Sequence, residues 1–332
     1  MIRRAASIVV AVIVFAVLVR AEPTERTFSF TYAFSVRNPE QGKRLRVWFP
    51  EATSDKYQTM RVVSTTSDLP LRRTKESKYG NEMFYAETSA ADKAEYRFEV
   101  VYEVTRRERL GSDEVNGPGS ARLNHAQLKR YTAPDRLVPT AGKPAEIASK
   151  LVQGKTSQAD KVRAIYDYVF TSMRYDKSGT GWGHGDALWA CDSHRGNCTD
   201  FHSLFASMTR SQGVPTRFEI GFPLPDDKHE SEIAGYHCWA DFYLNGRGWI
   251  PVDISEAWKH PEKKDYFFGA HDANRIQFSM GRDLTLSPRQ DGAPLNYFVY
   301  PYAESDGKEV RNIRNDFSFR DVQGGAKQAV VR

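Results

Sequence analysis

Gly196-Asn197-Cys198-Thr199-Asp200-Phe201-His202 reads as the tip of a buried helix that carries a thiol, and two later stretches read with it: His237-Cys238-Trp239 and Trp249-Ile250-Pro251-Val252-Asp253. Cysteine, histidine and aspartate follow one another in that order. A thiol is only partly ionised near neutral pH, so a nucleophilic cysteine needs a base beside it and a third group to orient the base. Phe201, Leu204, Phe205 and Met208 recur at helical spacing after Cys198, and Gly213 with Pro215 ends the pattern. Asn197 is the expected N-cap, which places Cys198 in the first turn, where the helix dipole favours a thiolate. Taken alone, Cys198 also fits a buried structural cysteine.

His237 opens the run His-Cys-Trp-Ala-Asp-Phe-Tyr-Leu, which alternates as a strand. His237, Trp239, Asp241 and Tyr243 share one face; Cys238, Ala240, Phe242 and Leu244 share the other. Asn245-Gly246 signals a hairpin into a second strand, Trp249 to Asp253. A strict two-residue loop would pair Asp253 with Cys238, on the wrong face. The spacing therefore predicts an odd-length loop or a bulge around Gly246 to Gly248, because a shift of one residue flips every side chain. A core or surface histidine and a strand-end turn aspartate are the plain alternatives. Three suitable contexts in one chain weigh against them.

Further segments extend the pattern. Ile165-Tyr166-Asp167-Tyr168-Val169 leads to Met173-Arg174-Tyr175-Asp176 before the thiol, and Arg210-Ser211-Gln212-Gly213-Val214-Pro215-Thr216-Arg217 follows it. Over roughly residues 140–260 the chain resembles the transglutaminase-like superfamily, related in fold to papain-like thiol enzymes. Gly181-Trp182-Gly183-His184-Gly185-Asp186-Ala187-Leu188-Trp189 and Asp253-Ile254-Ser255-Glu256-Ala257-Trp258 resemble an exported bacterial-type subgroup. The resemblance implies that Cys198 is the nucleophile, His237 the general base and then acid, and Asp253 the orienting carboxylate. It implies an acyl transfer through a thioester, in a family that holds cross-linkers, deamidases and hydrolases; the expected reaction is on peptide or glutamine amides, hydrolysis ahead of cross-linking. No cofactor is expected. The family places an indole or amide donor at the oxyanion, for which Trp189 and Trp182 are the candidates beside the Cys198 N–H.

Two readings from other classes compete. One is a catalytically silent binding module of the same fold at the cell surface. The other is a zinc module, in which Cys191, His194, Cys198 and His202 supply the ligands; it leaves His237 and Asp253 unexplained. His202 reads as a supporting residue near the thiol, a metal ligand or a helix-surface residue. Asp200 suits a first helical turn without a catalytic role. Tyr297, Tyr300 and Tyr302 read as a substrate groove or as core.

Residues 1–21 read as a signal peptide: Arg3 and Arg4, an apolar run from Ile8 to Val19, then Val19-Arg20-Ala21. The expected location is secreted or periplasmic, with an uncleaved anchor as the alternative and no membrane span once the signal is removed. In that compartment disulfides persist. Three cysteines, less a free Cys198, leave either a Cys191–Cys238 bridge or two unpaired thiols. The formal charge of +5 falls to +2 without Arg3, Arg4 and Arg20, since the first 21 residues hold no acid. Such a balance gives no nucleic-acid footprint. The expected partner is a peptide or protein substrate, a cell-wall peptide among the options.

The expected fold class is α+β: a nucleophile helix packed on an antiparallel sheet, preceded by a small all-β sandwich. Thr27 to Phe34 and Tyr96 to Val104 alternate with period two, while Arg46 to Pro50 and Met83 to Ala86 add shorter strands. The expected divisions are a signal peptide over 1–21, a sandwich over 22–110 and a linker over 111–143. A transglutaminase-like unit with C-terminal strands follows over 144–318, then a frayed tail over 319–332.

Overall fold

The computed structural model describes residues 24–111 and 122–322. The expected signal peptide, and the expected tail from residue 323 onward, lie outside the described residues. Seven strands come first: β1 Glu25–Arg37, β2 Leu45–Pro50, β3 Gln58–Ser67, β4 Arg72–Lys75, β5 Glu82–Thr88, β6 Glu95–Arg107 and β7 Arg109–Leu110. Helices α1 His125–Thr132, α2 Lys143–Leu151 and α3 Gln158–Ser172 follow. Next come β8 Arg174–Tyr175, α4 Ala187–Ser193, β9 Arg195–Gly196 and α5 Cys198–Ser211. Strands β10 Thr216–Pro223, β11 Glu230–Glu232, β12 His237–Leu244 and β13 Gly248–Val252 lead into α6 Ile254–Lys259. The chain closes with β14 Ala270–His271, β15 Arg275–Met280, β16 Tyr302–Ser305, β17 Lys308–Glu309 and β18 Ile313–Asp321.

Two five-stranded sheets, ordered β11-β18-β1-β6-β3 and β17-β16-β2-β5-β4, form the sandwich. Alternation on β1 sends Phe28, Phe30, Tyr32 and Phe34 inward, where Tyr32 stacks on Phe49 at 6.0 Å and Phe34 on Phe98 at 4.8 Å. The C-terminal strands, grouped by sequence with the 144–318 unit, pair elsewhere: β16 joins β2, and β18 joins β1 along nine residues from Val36↔Ile313 to Phe28↔Asp321. β1 is long, and its second edge needs a partner that the neighbouring hairpins do not supply. β18 also carries residues 319–321 of the expected tail into the sheet. Within the expected linker, α1 forms on a capping box between Asn124 and Gln127, and its Tyr131 packs edge-on against Trp249 at 4.8 Å.

The third sheet, β13-β12-β10-β15, is antiparallel. α5 packs on it, and every residue from Cys198 to Arg210 is buried. A helix buried all round is a core helix. One side of α5 meets α2, α3, α4 and α6 through Phe201, Leu204, Phe205 and Met208. The sheet's own Phe222 and Phe278 reach into the sandwich, 5.4 and 5.7 Å from Phe30, so sandwich and sheet share one apolar core. Where β10 crosses β15 the register shifts at Gly221; a Cβ there would sit 1.8 Å from Ile276 O, so only glycine allows this approach. Gly221 lies opposite His237 in the next pair.

The hairpin between β12 and β13 has the odd loop that the spacing requires. Leu244 pairs with Gly248 across the three residues Asn245, Gly246 and Arg247, and Ala240 pairs with Val252. Continuing that register sets position 253 opposite Trp239, on the face that also carries His237.

Candidate active site

Three elements meet at the thiol. Asn197 caps α5, accepting the Thr199 N–H at 2.9 Å, while Asp200 reaches back to the Asn197 N–H at 2.9 Å. Cys198 is thus the first helical residue, and its N–H has no acceptor within the helix. Asp200 does more than complement the dipole. It also accepts the N–H groups of Gly183 at 2.7 Å and Gly185 at 3.0 Å, which ties the preceding loop to the helix tip. Gly196 makes room for it: φ is +149°, and a Cβ would lie 2.3 Å from Asp200 Oδ2.

The side chain of His237, at the start of β12, hydrogen-bonds Asp253 and acts electrostatically on Cys198. Its Nε2 lies 2.7 Å from Asp253 Oδ2, which leaves Nδ1 for the sulfur. Asp253 caps α6. Its Oδ1 accepts the Glu256 N–H and the Ser255 hydroxyl, each at 3.1 Å. Its Oδ2 also accepts Arg275 Nη1 at 2.9 Å. Cys198, His237 and Asp253 are all buried, at 2%, 3% and 0% exposure.

Burial alone would raise the thiol of Cys198. Hydrogen bonds from Cys238 and His237, together with the positive charge on His237, outweigh it and hold Cys198 well below its ordinary value. Burial would lower His237, but the Asp253 carboxylate and the hydrogen bond to Cys198 push it up to about 10. Burial would raise Asp253; the charges of His237 and Arg275 instead hold it well below the usual carboxylate range. The three groups therefore favour a thiolate, an imidazolium and a carboxylate in contact.

His202, one turn along α5 from Cys198, braces this group. The Ile254 N–H donates to its Nε2 at 3.1 Å, so Nε2 carries no proton and Nδ1–H donates to Cys198 O at 2.8 Å. Burial lowers its pKa. His202 is thus a neutral strut between the tip of α5 and the residue after Asp253.

Other sequence expectations are corrected. All three cysteines are free. Cys191 packs among the helices around α5, whereas Cys238 lies against Thr199 Oγ1 and His202 Nδ1, each 3.8 Å away. The four residues of the zinc reading do not converge: His194 is exposed at the C-cap of α4, and both ring nitrogens of His202 are occupied. Among the described residues no group of three His, Cys, Asp or Glu is placed to hold a metal ion. Neither indole is committed to the thiol. Trp182 Nε1 donates to Gly179 O at 3.2 Å, and Trp189 lies against Gly181, in a cleft with Arg136, His184 and Asn296. Tyr302 packs on Trp48 in the sandwich, but Tyr297 and Tyr300 join Tyr236, with ring centres 5.3 and 5.8 Å from it. The Tyr236 hydroxyl lies 2.7 Å from Thr199 Oγ1 and 3.0 Å from Asn197 Nδ2, on either side of Cys198 in sequence.

A cavity of about 560 Å³ opens in front of His237, lined by Leu224, Glu256, Lys259, Asp272, Asn274 and Arg275 among others. Three contributors escaped the sequence reading. Asp253-Ile-Ser-Glu256 carries the spacing of a helix start, a signal that could have found Ser255 and Glu256. Arg275 opens an ordinary strand, and no local pattern marks it.

Comparison with known proteins follows this geometry. Residues 145–254 match the transglutaminase-like superfamily. An uncharacterized protein of Haemophilus influenzae is 29% identical over 322 residues, which cover 86% of this chain and 87% of that protein. The uncharacterized protein YebA of Bacillus subtilis is 23% identical over 151 residues, 40% of this chain and 20% of that longer protein. A crystal structure of a candidate cysteine protease from Cytophaga hutchinsonii shares the fold, with a TM-score of 0.54 at 13% identity, covering 90% of this chain and 99% of that one. Among the described residues no helix is long and apolar enough to cross a membrane.

Proposed function

We propose, from the premise that residues 145–254 belong to the transglutaminase-like superfamily, that the chain is an exported cysteine-dependent acyl-transfer enzyme that hydrolyses peptide or glutamine amides. Members of that superfamily are generally cysteine-dependent enzymes, and the mixed α+β fold agrees. One observation carries the reading. A buried imidazole is hydrogen-bonded to a buried carboxylate and acts on a buried thiol beside it, and the environment of the three favours charge separation. Export rests on the apolar, Arg-led residues 1–21.

The thiolate of Cys198 attacks the amide carbonyl carbon. The N–H of Cys198 at the helix tip, which has no acceptor within the helix, suits the developing oxyanion, an interaction of about 3 kcal/mol in comparable sites. The imidazolium Nδ1–H then gives its proton to the leaving nitrogen, the C–N bond breaks, and a thioester remains. The cavity before His237 takes the departing amine and admits water, whose activation by Nδ1 releases the acid.

The test compares wild type with Cys198→Ala on a peptide library, with and without an added primary amine. Release of ammonia or peptide that Cys198→Ala abolishes is the expected result. Equal turnover by the variant would end the enzyme reading; amine incorporation in place of hydrolysis would replace the hydrolase by a cross-linker.

A further inference from the structure

Resting on the thioester reading above, we infer that Arg275 is a positioning residue for the second half of the reaction: it keeps Asp253 on His237 Nε2 while the imidazole carries no charge. Arg275 Nη1 shares Asp253 Oδ2 with His237 Nε2, at 2.9 and 2.7 Å. Its Nε reaches Asp272 Oδ1 at 3.4 Å, its guanidinium lies 4.8 Å over the ring of Trp239, and it is 1% exposed. Glu256 from α6, Arg106 from β6, His271 from β14 and Tyr266 also interact with it. A guanidinium does not lose its proton in a protein, so this counter-charge is constant.

The need for it differs between the two half-reactions. Before acylation Asp253 faces an imidazolium and is compensated without Arg275. Once Nδ1 has given its proton to the leaving amine, His237 is neutral and Asp253 is a fully buried carboxylate. Such a group without a cation takes up a proton. A protonated Asp253 would donate to Nε2, drive the remaining ring proton onto Nδ1, and remove the base. With Arg275 present, Asp253 stays ionised and Nε2 keeps its proton. Nδ1 then takes a proton from water while the water oxygen bonds to the thioester carbon. The C–S bond breaks, Cys198 leaves as thiolate, the carboxylic acid departs, and His237 is again an imidazolium.

The experiment follows p-nitrophenyl acetate with wild type, Arg275→Met and Arg275→Lys. The burst of nitrophenol reads acylation, the later slope reads deacylation, and mass spectrometry reads acetyl-Cys198. In Arg275→Met the burst should stay within about threefold of wild type while the slope falls about tenfold or more and acetyl-enzyme accumulates. The slope should also gain an acid limb at higher pH than wild type, and Arg275→Lys should recover part of it; a purely structural role moves neither. Burst and slope falling together, or both unchanged, would overturn the inference. If Arg275→Met does not fold, Arg275→Lys alone decides, with a smaller but same-sided split expected. A wild type that shows no burst, with Cys198→Ala equally active, instead refutes the thioester reading itself.

Discussion

Replacing Asp253 by Asn tests the electrostatic core of the site. The rise of His237 from 6.5 to about 10 corresponds to about 5 kcal/mol of preference for the imidazolium at 1.36 kcal/mol per pH unit. Asp253 is the foremost favourable cause, ahead of Cys198 and Glu256. Asparagine removes that charge. It also presents its amide to four donors, the His237 ring, Arg275, Ser255 and the Glu256 N–H, so one buried donor meets another in either orientation. Stability should drop by about 3–5 kcal/mol, the usual cost of leaving a buried cation unpaired. The thiolate should form only at higher pH, so iodoacetamide should label Cys198 more slowly, by about tenfold or more, below that limb. Alkylation rates against pH, with urea unfolding as a check that the variant is folded, measure both effects. Superimposable alkylation profiles for wild type and Asp253→Asn would refute the claim that this carboxylate holds the imidazolium.

Three further outcomes follow from the same geometry. Native protein should label rapidly at Cys198 alone, because burial raises the thiols of Cys191 and Cys238, whereas denatured protein should label at all three free cysteines at similar rates; mass spectrometry of peptides decides this. Gly196→Ala would press a Cβ into the Asp200 carboxylate at 2.3 Å and impose a φ that alanine rarely adopts, so a loss of about 2–4 kcal/mol is expected in urea, with faster amide exchange at Gly183 and Gly185. Stability should also depend on pH from both ends. The raised His237 contributes fully below 6.5 and loses its contribution as pH rises through about 10, while Asp253, held low, contributes above 3.8 and loses its share on acidification. Urea unfolding of wild type against pH should fall on both sides, and Asp253→Asn should flatten both slopes.

Much of the site could be read from local pattern because local chemistry builds it. Asn197 caps, Cys198 follows, and the apolar residues behind them repeat at helical spacing, so the position of the thiol at a helix tip needed no tertiary information. Parity did the same for the hairpin. Asp253 belongs to the face of His237 only if the loop is odd, and the Asn245–Arg247 loop is odd. Trp182 and Trp189 show the opposite case. An indole can serve an oxyanion or fill a loop with equal sequence support, and the contacts of Trp182 with Gly179 and of Trp189 with Gly181 are ones that spacing does not encode. Of the two cysteine states the sequence left open, the structure has the unpaired one: Cys191 and Cys238 are both free thiols, and their sequence positions near Cys198 do not encode that.

Long-range pairing explains what remained hidden. Alternation marks β1 and β18 as strands, but nothing in either stretch says that Phe30 will lie opposite Phe319. That choice is made by edges left open once local hairpins have closed, and it has a consequence for the site. β18 and β6 fix β1, β1 buries Phe30 against Phe222 and Phe278, and those two residues belong to the strands that carry Gly221, opposite His237, and Arg275. The sandwich therefore acts on the chemistry without touching it, by setting the strand on which Arg275 meets Asp253. Local pattern could locate the groups that change charge; only the assembled core brings in the cation that does not.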